Sequence, residues 1–281
     1  MITRPPVKVN LGLNVLRRRP DGYHDIDTVF LPFHGLHDTL EIVAGDDWSR
    51  TSAELFDRYP TDETSQAITP DGKLMITIFR RGGVAWDPLK DLTVKAFTAL
   101  SADYSLPPVK IFLEKTSPVG AGLGGGSADA SYTLRSLSSM FLPELTAEDL
   151  LPYAAKVGSD CPFFLYDGPM AASGRGEILS KSDIPALEGL RLEVTVPEGV
   201  QVSTAEAYAG IVPAVPELSL KEVLNRPVED WKELLVNDFE KTVFAKYPAI
   251  KDLKESMYRR GAVYASMSGS GSAVFALFRK D

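Results

Sequence analysis

Cysteine occurs once in the 281 residues, at Cys161, so an intrachain disulfide is impossible and metal sites built from several thiolates are excluded. Basic residues are in the minority, 30 Lys+Arg against 38 Asp+Glu for a net charge of −8. That balance argues against a general nucleic-acid or membrane-surface binder, which needs a basic footprint, and an anionic ligand would need locally placed cations. No run of about 18 apolar residues occurs, and the N-terminus Met-Ile-Thr-Arg-Pro-Pro lacks the apolar core of a signal peptide. A soluble cytoplasmic protein without membrane or nucleic-acid partners is expected. Internal repeats and low-complexity segments are missing as well. No Gly-Lys-Ser or Gly-Lys-Thr occurs, so a Walker loop is excluded. What remains is a chain that is 44% hydrophobic, enough to bury a large core in one big domain or two ordinary ones.

Glycine, by contrast, is concentrated. Five glycines fall within the seven residues from Gly120 to Gly126. They run into a helical pattern in which Ala130, Leu134, Leu137 and Phe141 share one face. Glycines ahead of a helix can simply make a tight turn. Five of them are costly, since each ordered glycine is worth roughly 0.5–1 kcal/mol less than alanine, and close backbone approach to a ligand would explain them. Such a loop turns N–H groups toward one point and adds the unpaired N–H groups and positive dipole end of the helix, a cradle for phosphate. The string Gly120-Ala-Gly122-Leu-Gly-Gly125 also matches G-x-G-x-x-G. The surrounding Thr-Ser-Pro and the helix end about 20 residues on do not suit a dinucleotide fold.

Along the rest of the chain, Val7, Val9, Leu11, Leu13 and Val15 alternate with Lys8, Asn10, Gly12 and Asn14, predicting a strand buried on one side. Lys8 and Asn10 then share the other face, either as solvated residues or as a small polar surface open to a ligand. Pro20-Asp-Gly22 is turn chemistry, and after it Tyr23 and His24 could offer a stacking face and a hydrogen-bonding tip to a planar ligand. Further strand is expected over 25–43, a loop or hairpin excursion over 45–67, strands over 73–79 and 109–115, and a helix over 91–100. Thr146-Ala-Glu-Asp149 opens a capped helix running to about Val157. Residues 158–165 read as a turn feeding an apolar strand, with Asp160 at the junction either as a local cap or as a functional carboxylate. The glycine-rich stretch 168–176 marks a crossing into a second domain. Beyond it lie a strand over 190–196, helices over 218–224, 230–241 and 250–258, and two short strands over 263–278 around a Gly/Ser loop at 268–272, which in isolation resembles a hairpin turn.

Three pieces together, Pro6-Val-Lys-Val-Asn-Leu, Pro118-Val-Gly-Ala-Gly-Leu-Gly-Gly-Gly-Ser127-Ala and Met267-Ser-Gly-Ser-Gly-Ser272, resemble the GHMP kinase superfamily across most of the chain. Pro20-Asp-Gly-Tyr-His24 and Gly158-Ser-Asp-Cys-Pro162 narrow the resemblance to the branch acting on a cytidine diphosphate sugar alcohol in the non-mevalonate isoprenoid route. The resemblance implies an α+β, two-domain kinase using ATP and Mg²⁺. Its N-terminal domain, 1–165, would be of the ribosomal-protein-S5-domain-2-like type and hold the phosphate loop. Its C-terminal domain, 166–281, would be ferredoxin-like and contribute to the substrate site. It implies Lys8 and Asp160 as catalytic residues. Lys115, Pro118, Gly120, Gly122, Leu123, Gly124, Gly125, Gly126 and Ser127 would bind ATP, with Ser127 also a candidate metal ligand. Asn10, Tyr23, His24, Thr204 and Tyr208 would bind substrate together with Asp160. Two departures from the family pattern are Val7 for the usual alanine and Asp91 for the usual asparagine. A monomer or weak homodimer is expected. Another GHMP small-molecule kinase, of the homoserine or mevalonate type, would share the loop without the Tyr23-His24 pair, and a non-catalytic nucleotide-binding module would need neither Lys8 nor Asp160.

Overall fold

The computed structural model describes residues 1–280 and separates into two compact units, each assembled from several stretches of chain. The first comprises Met1–Val7, Leu36–Ser117 and Gly125–Tyr166; the second comprises Lys8–Gly35, Pro118–Gly124 and the chain from Asp167 on. The last crossing lies between Tyr166 and Asp167. The earlier crossings arise because strands near the N-terminus pair with a strand beyond 169, which draws 8–35 into the second unit.

In chain order the elements begin with β1 (Ile2–Thr3), β2 (Pro6–Arg18), β3 (His24–His37), β4 (Thr39–Ala44), α1 (Ser52–Arg58), β5 (Thr64–Ile68) and β6 (Leu74–Phe79). Next come α2 (Leu92–Ser101), β7 (Val109–Glu114), α3 (Gly125–Phe141) and α4 (Ala147–Val157). There follow β8 (Met170–Ser173), β9 (Ile178–Lys181), β10 (Leu190–Thr195), α5 (Thr204–Ala209), α6 (Leu220–Leu224) and α7 (Trp231–Leu234). The last four are α8 (Phe239–Lys246), α9 (Pro248–Arg259), β11 (Tyr264–Met267) and β12 (Val274–Arg279).

The first unit is organised on a five-stranded sheet in the order β1-β4-β7-β6-β5, in which β6 and β7 run parallel with Leu74, Ile76 and Ile78 opposite Val109, Ile111 and Leu113. A parallel pair needs a crossover, and α2 supplies it. The inward residues of these strands join Val94 and Phe97 of α2, Ala130, Leu134 and Leu137 of α3 and Leu150 of α4 in one core. Each such aliphatic side chain contributes roughly 1.5–3 kcal/mol on burial. Helix starts follow the capping chemistry of the sequence: Thr146 and Asp149 form a capping box on α4. Asp91 caps α2, accepting the Thr93 N–H at 2.9 Å while its second oxygen accepts the Trp86 indole N–H at 3.0 Å. A carboxylate fills this cap as well as an amide does.

Two local expectations differ here. The stretch 45–67 is not an irregular excursion but contains α1 and β5, because Leu55 and Tyr59, four residues apart on one helical face, are buried against Phe79 and Phe112. The run Cys161–Leu165 is a buried 3-10 turn rather than a strand. Pro162 fixes φ and lacks a donor, which suits the first turn of a helix, and a short apolar run buried all round carries no periodicity to tell the two apart.

The second unit holds a four-stranded sheet, β2-β3-β8-β9, and a three-stranded antiparallel sheet, β10-β12-β11. Its core gathers Leu13, Val15 and Ile26 with Phe239 and Val243 of α8, Ile250 and Met257 of α9, and Val274 and Ala276 of β12. Strand β2 is not half-exposed: Lys8 and Asn10 are as fully enclosed as their apolar neighbours. The helix expected over 230–241 is broken into α7 and α8. The break is at Asn237, whose amide nitrogen donates to the carbonyls of Met267 (2.8 Å) and Gly269 (2.9 Å) and whose oxygen accepts the Phe239 N–H (3.0 Å). Those carbonyls belong to a segment thirty residues away, a partner no local pattern reveals.

Candidate active site

In the second unit the glycine loop lies against strand β2. The Lys8 N–H donates to the Leu123 carbonyl at 2.9 Å, and the Lys8 ammonium, on a residue only 3% exposed, donates to Asn10 Oδ1 at 2.6 Å and the Gly122 carbonyl at 3.2 Å. It also lies 5.0 Å from the centroid of the Phe30 ring. The amide of Asn10 is oriented in turn, since its nitrogen donates to Thr28 Oγ1 at 3.1 Å and that hydroxyl donates to the Gly12 carbonyl at 2.5 Å. Asn10 therefore presents its oxygen, not its nitrogen, to Lys8.

The two glycine loops pack backbone to backbone within this unit. Ser268 Oγ donates to the Gly122 carbonyl at 2.9 Å, and the Ala273 N–H donates to the Ala121 carbonyl at 3.0 Å. Gly122 adopts a φ of 77°, and a Cβ there would fall inside the van der Waals shell of the Ser268 carbonyl oxygen. The Gly/Ser segment is thus a packed partner of the phosphate loop, held by Asn237, and not a bare hairpin turn. Ser268 lies in the Gly/Ser motif that the sequence already marks, whereas Asn237 was not anticipated and no local signal marks it.

In the first unit the loop continues covalently into α3, whose first turn carries Gly125, Gly126 and Ser127. Ser131 donates to the carbonyls of Ser127 (3.0 Å) and Cys161 (2.6 Å), tying the 3-10 turn that follows Asp160 to this helix. Asp160 precedes that turn at its cap position, yet its carboxylate makes no capping hydrogen bond. Beside it, burial pushes the Cys161 thiol up to about 12, so this cysteine carries no thiolate for chemistry.

Beneath Gly125 lies a buried ionic cluster. The Lys115 ammonium, with 4% of its side chain exposed, is ion-paired to Asp38 and to Asp129 Oδ2 (2.6 Å) and lies 3.3 Å from Ser117 Oγ. Asp38 also accepts the backbone N–H groups of Thr116 and Ser117, both at 2.7 Å. Burial alone would raise the Asp38 carboxyl, but the Lys115 charge and the hydrogen bonds from Lys115 and Ser117 together outweigh it and hold it below the ordinary carboxylate range. Asp129 is pushed well above that range by burial, which the shared lysine does not offset, and its Oδ1 has no hydrogen-bond partner. Burial would lower Lys115, yet Asp129 and Asp38 together hold it above its ordinary value. Asp38 and Asp129 were not anticipated. Asp129 did carry a signal, being the one charged residue between Thr116 and Leu134 and set among alanines and serines; a carboxylate so placed needs a cation.

The candidate substrate residues other than Asp160 belong to the second unit: His24 stacks on Tyr208 with ring centroids 4.8 Å apart and an interplanar angle of 19°, and the Tyr208 and Phe239 rings meet edge to face at 4.7 Å. Thr204 Oγ1 meets Ser270 Oγ of the Gly/Ser loop at 3.1 Å. Tyr23 is 57% exposed, with the Arg175 guanidinium 5.1 Å from its ring centroid.

The family model for the GHMP kinases N terminal domain matches residues 91–168, and that for the GHMP kinases C terminal domain matches 219–281. A 4-diphosphocytidyl-2-C-methyl-D-erythritol kinase of Bacteroides fragilis is 44% identical, over all of this chain and 93% of that protein. One of Cytophaga hutchinsonii is 41% identical, over 99% of this chain and 92% of the relative. Among solved structures, a 4-(cytidine 5'-diphospho)-2C-methyl-D-erythritol kinase superposes with a TM-score of 0.73 at 31% identity, covering 99% of this chain and 90% of the other. A homoserine kinase from Cytophaga hutchinsonii, 16% identical with a TM-score of 0.63 over 100% and 85%, shares the fold. The chain belongs to the GHMP kinases, within the 4-diphosphocytidyl-2-C-methyl-D-erythritol kinase family.

Proposed function

We propose that this protein transfers the γ-phosphoryl group of ATP to the 2-hydroxyl of 4-diphosphocytidyl-2-C-methyl-D-erythritol, in non-mevalonate isoprenoid biosynthesis. The observation that carries the reading is the buried Lys8 ammonium held against Asn10 and the Gly122 carbonyl, within the glycine loop. A cation is costly to bury and is of use there if phosphate charge arrives and grows. Phosphoryl transfer requires positioning, charge neutralisation and an acceptor for the hydroxyl proton. Lys8 stabilises the charge on the transferring group, the loop and the first turn of α3 hold the phosphates through backbone N–H groups, and Asp160 accepts the proton. Among the described residues no cluster of three acidic, histidine or cysteine groups could hold a metal by itself, which suits Mg²⁺ carried on nucleotide oxygens and water. Ser127, in the first turn of α3, supplies the protein hydroxyl toward it; the bound ion neutralises phosphate charge.

The protein acts in the cytoplasm as a monomer or weak homodimer, with no nucleic-acid or membrane partner. The net charge of −8 supports the absence of a nucleic-acid or membrane-surface partner, and among the described residues no helix is long and apolar enough to cross a membrane. ADP release measured against a panel of hydroxyl substrates, with and without a cytidine diphosphate group, tests the reading. Turnover confined to the cytidine compound is expected. Equal turnover of homoserine or mevalonate would favour another GHMP kinase, and release with none of them a binding module.

Two variants probe the site separately. A Cβ at Gly125 would meet Ser117 Oγ at 2.5 Å, so substitution there disturbs the fold itself. At Gly126 it would meet only Leu92 Cδ1 at 3.5 Å. Gly126→Ala is therefore expected to leave the melting temperature unchanged or slightly raised, alanine being favoured in a helix by up to about 1 kcal/mol, while weakening ATP binding by roughly 10-fold as the methyl crowds the phosphates. Calorimetric titration with unchanged ATP affinity would remove this turn from the phosphate site. His24→Ala and Tyr208→Ala, which break the same ring stack, are expected to raise KM for the cytidine substrate in parallel with kcat nearly intact. Loss of turnover at saturating substrate with KM fixed would overturn the base-binding role.

A further inference from the structure

Resting on that reading of the substrate, the surroundings of Tyr23 carry one step more. Arg17 is ion-paired to Asp25, and Arg19 is engaged by Asp21 (Nε to Oδ2, 3.1 Å) and Asp25 (Nη1 to Oδ1, 2.9 Å). Arg175 comes from the turn between β8 and β9, which is fastened to β3 where the Gly174 carbonyl accepts the Ile26 N–H at 2.7 Å. Glu177 steers it, accepting the Arg175 backbone N–H at 2.5 Å and facing Nε at 3.4 Å. The side chain is 37% exposed, and its two Nη groups make no hydrogen bond to any of the described residues. A guanidinium packed over an aromatic ring keeps its N–H fork at its edge, shaped for bidentate contact with phosphate oxygens. In a chain of net charge −8, a substrate diphosphate needs such a local cation.

We propose that Arg175 is a specificity-determining residue that donates its Nη groups to the diphosphate of the cytidine substrate while its guanidinium face backs the Tyr23 ring. It selects for the charged linker, where the His24–Tyr208 stack serves the base. The test is competitive inhibition by CDP and by cytidine, measured on the wild-type chain and on Arg175→Ala and Arg175→Lys, each with a thermal melt. The inhibition constant for CDP is expected to rise roughly 10–100-fold in Arg175→Ala, the loss of a charge-assisted pair. The constant for cytidine should move by less than about 3-fold, and Arg175→Lys should recover part of the CDP affinity because the charge remains. Substrate KM should rise with CDP and kcat stay within a few-fold. Equal weakening of CDP and cytidine would mean that Arg175 merely props Tyr23, and unchanged CDP inhibition would remove it from the site; either result overturns the proposal. Absence of CDP inhibition in the wild-type chain would overturn the cytidine reading along with it.

Discussion

Asp160→Asn and Lys8→Ala are each expected to lower kcat by roughly 10²–10⁴-fold, the range for losing a positioned proton acceptor or charge stabiliser, with a much smaller change in the dissociation constant for ATP. The two variants differ in what they do to stability. Asp160→Asn is isosteric and keeps a hydrogen-bonding oxygen, so it should melt close to the wild type. Lys8→Ala strands Asn10 Oδ1 in a buried site, at a cost of about 1–3 kcal/mol, while the Gly122 carbonyl keeps the Ser268 hydroxyl. Lys8→Met keeps the packing against Phe30 and separates the kinetic loss from the structural one. If the two residues serve one step, the double variant should be little worse than the poorer single one. Single-turnover phosphoryl transfer beside a melt for each variant decides the matter, and a near-normal rate for Asp160→Asn would sink the base assignment.

The second large effect falls on stability. Lys115→Met removes the counter-ion of two buried carboxylates, Asp38 and Asp129, and should destabilise the chain by about 3–5 kcal/mol, the usual cost of leaving buried charge unpaired. Its pH dependence has a definite sign. In the wild type Asp38 is held below its ordinary value, so its pairing contributes stability above the ordinary carboxylate pKa and loses it as pH falls through the lower folded value. Without Lys115 both carboxyls would titrate above their unfolded values, because burial then acts unopposed. Protonation relieves that penalty, so the deficit should be full at neutral pH and shrink as pH falls toward about 4. Asp129→Asn, at a carboxyl already raised well above its ordinary range, should cost much less. Urea midpoints at pH 7 and pH 5 test the pattern. Equal stability of Lys115→Met and wild type at pH 7 would show that the cluster does not hold the base of α3.

What could be read from residue order was whatever depends on neighbours a few positions apart. The glycine run into an amphipathic helix, the capping box at Thr146, the alternation of β2 and the two strands around the Gly/Ser loop all rest on local periodicity and backbone freedom, and the helix and strands formed where those patterns lay. Lys8, Asn10, Tyr23, His24 and Asp160 could be named for the same reason, since each sits in a short motif. The tertiary structure decided matters that depend on partners far along the chain. Burial of Lys8 follows from the Leu123 and Gly122 carbonyls more than a hundred residues on. The break at Asn237 follows from the carbonyls of Met267 and Gly269. Helix α1 depends on Phe79 and Phe112, and the enclosure of Lys115 on Asp38 and Asp129, drawn from a strand junction and from α3. A buried charge or amide is fixed by the group that satisfies it. When that group is remote in sequence, only the folded chain brings the two within hydrogen-bonding distance.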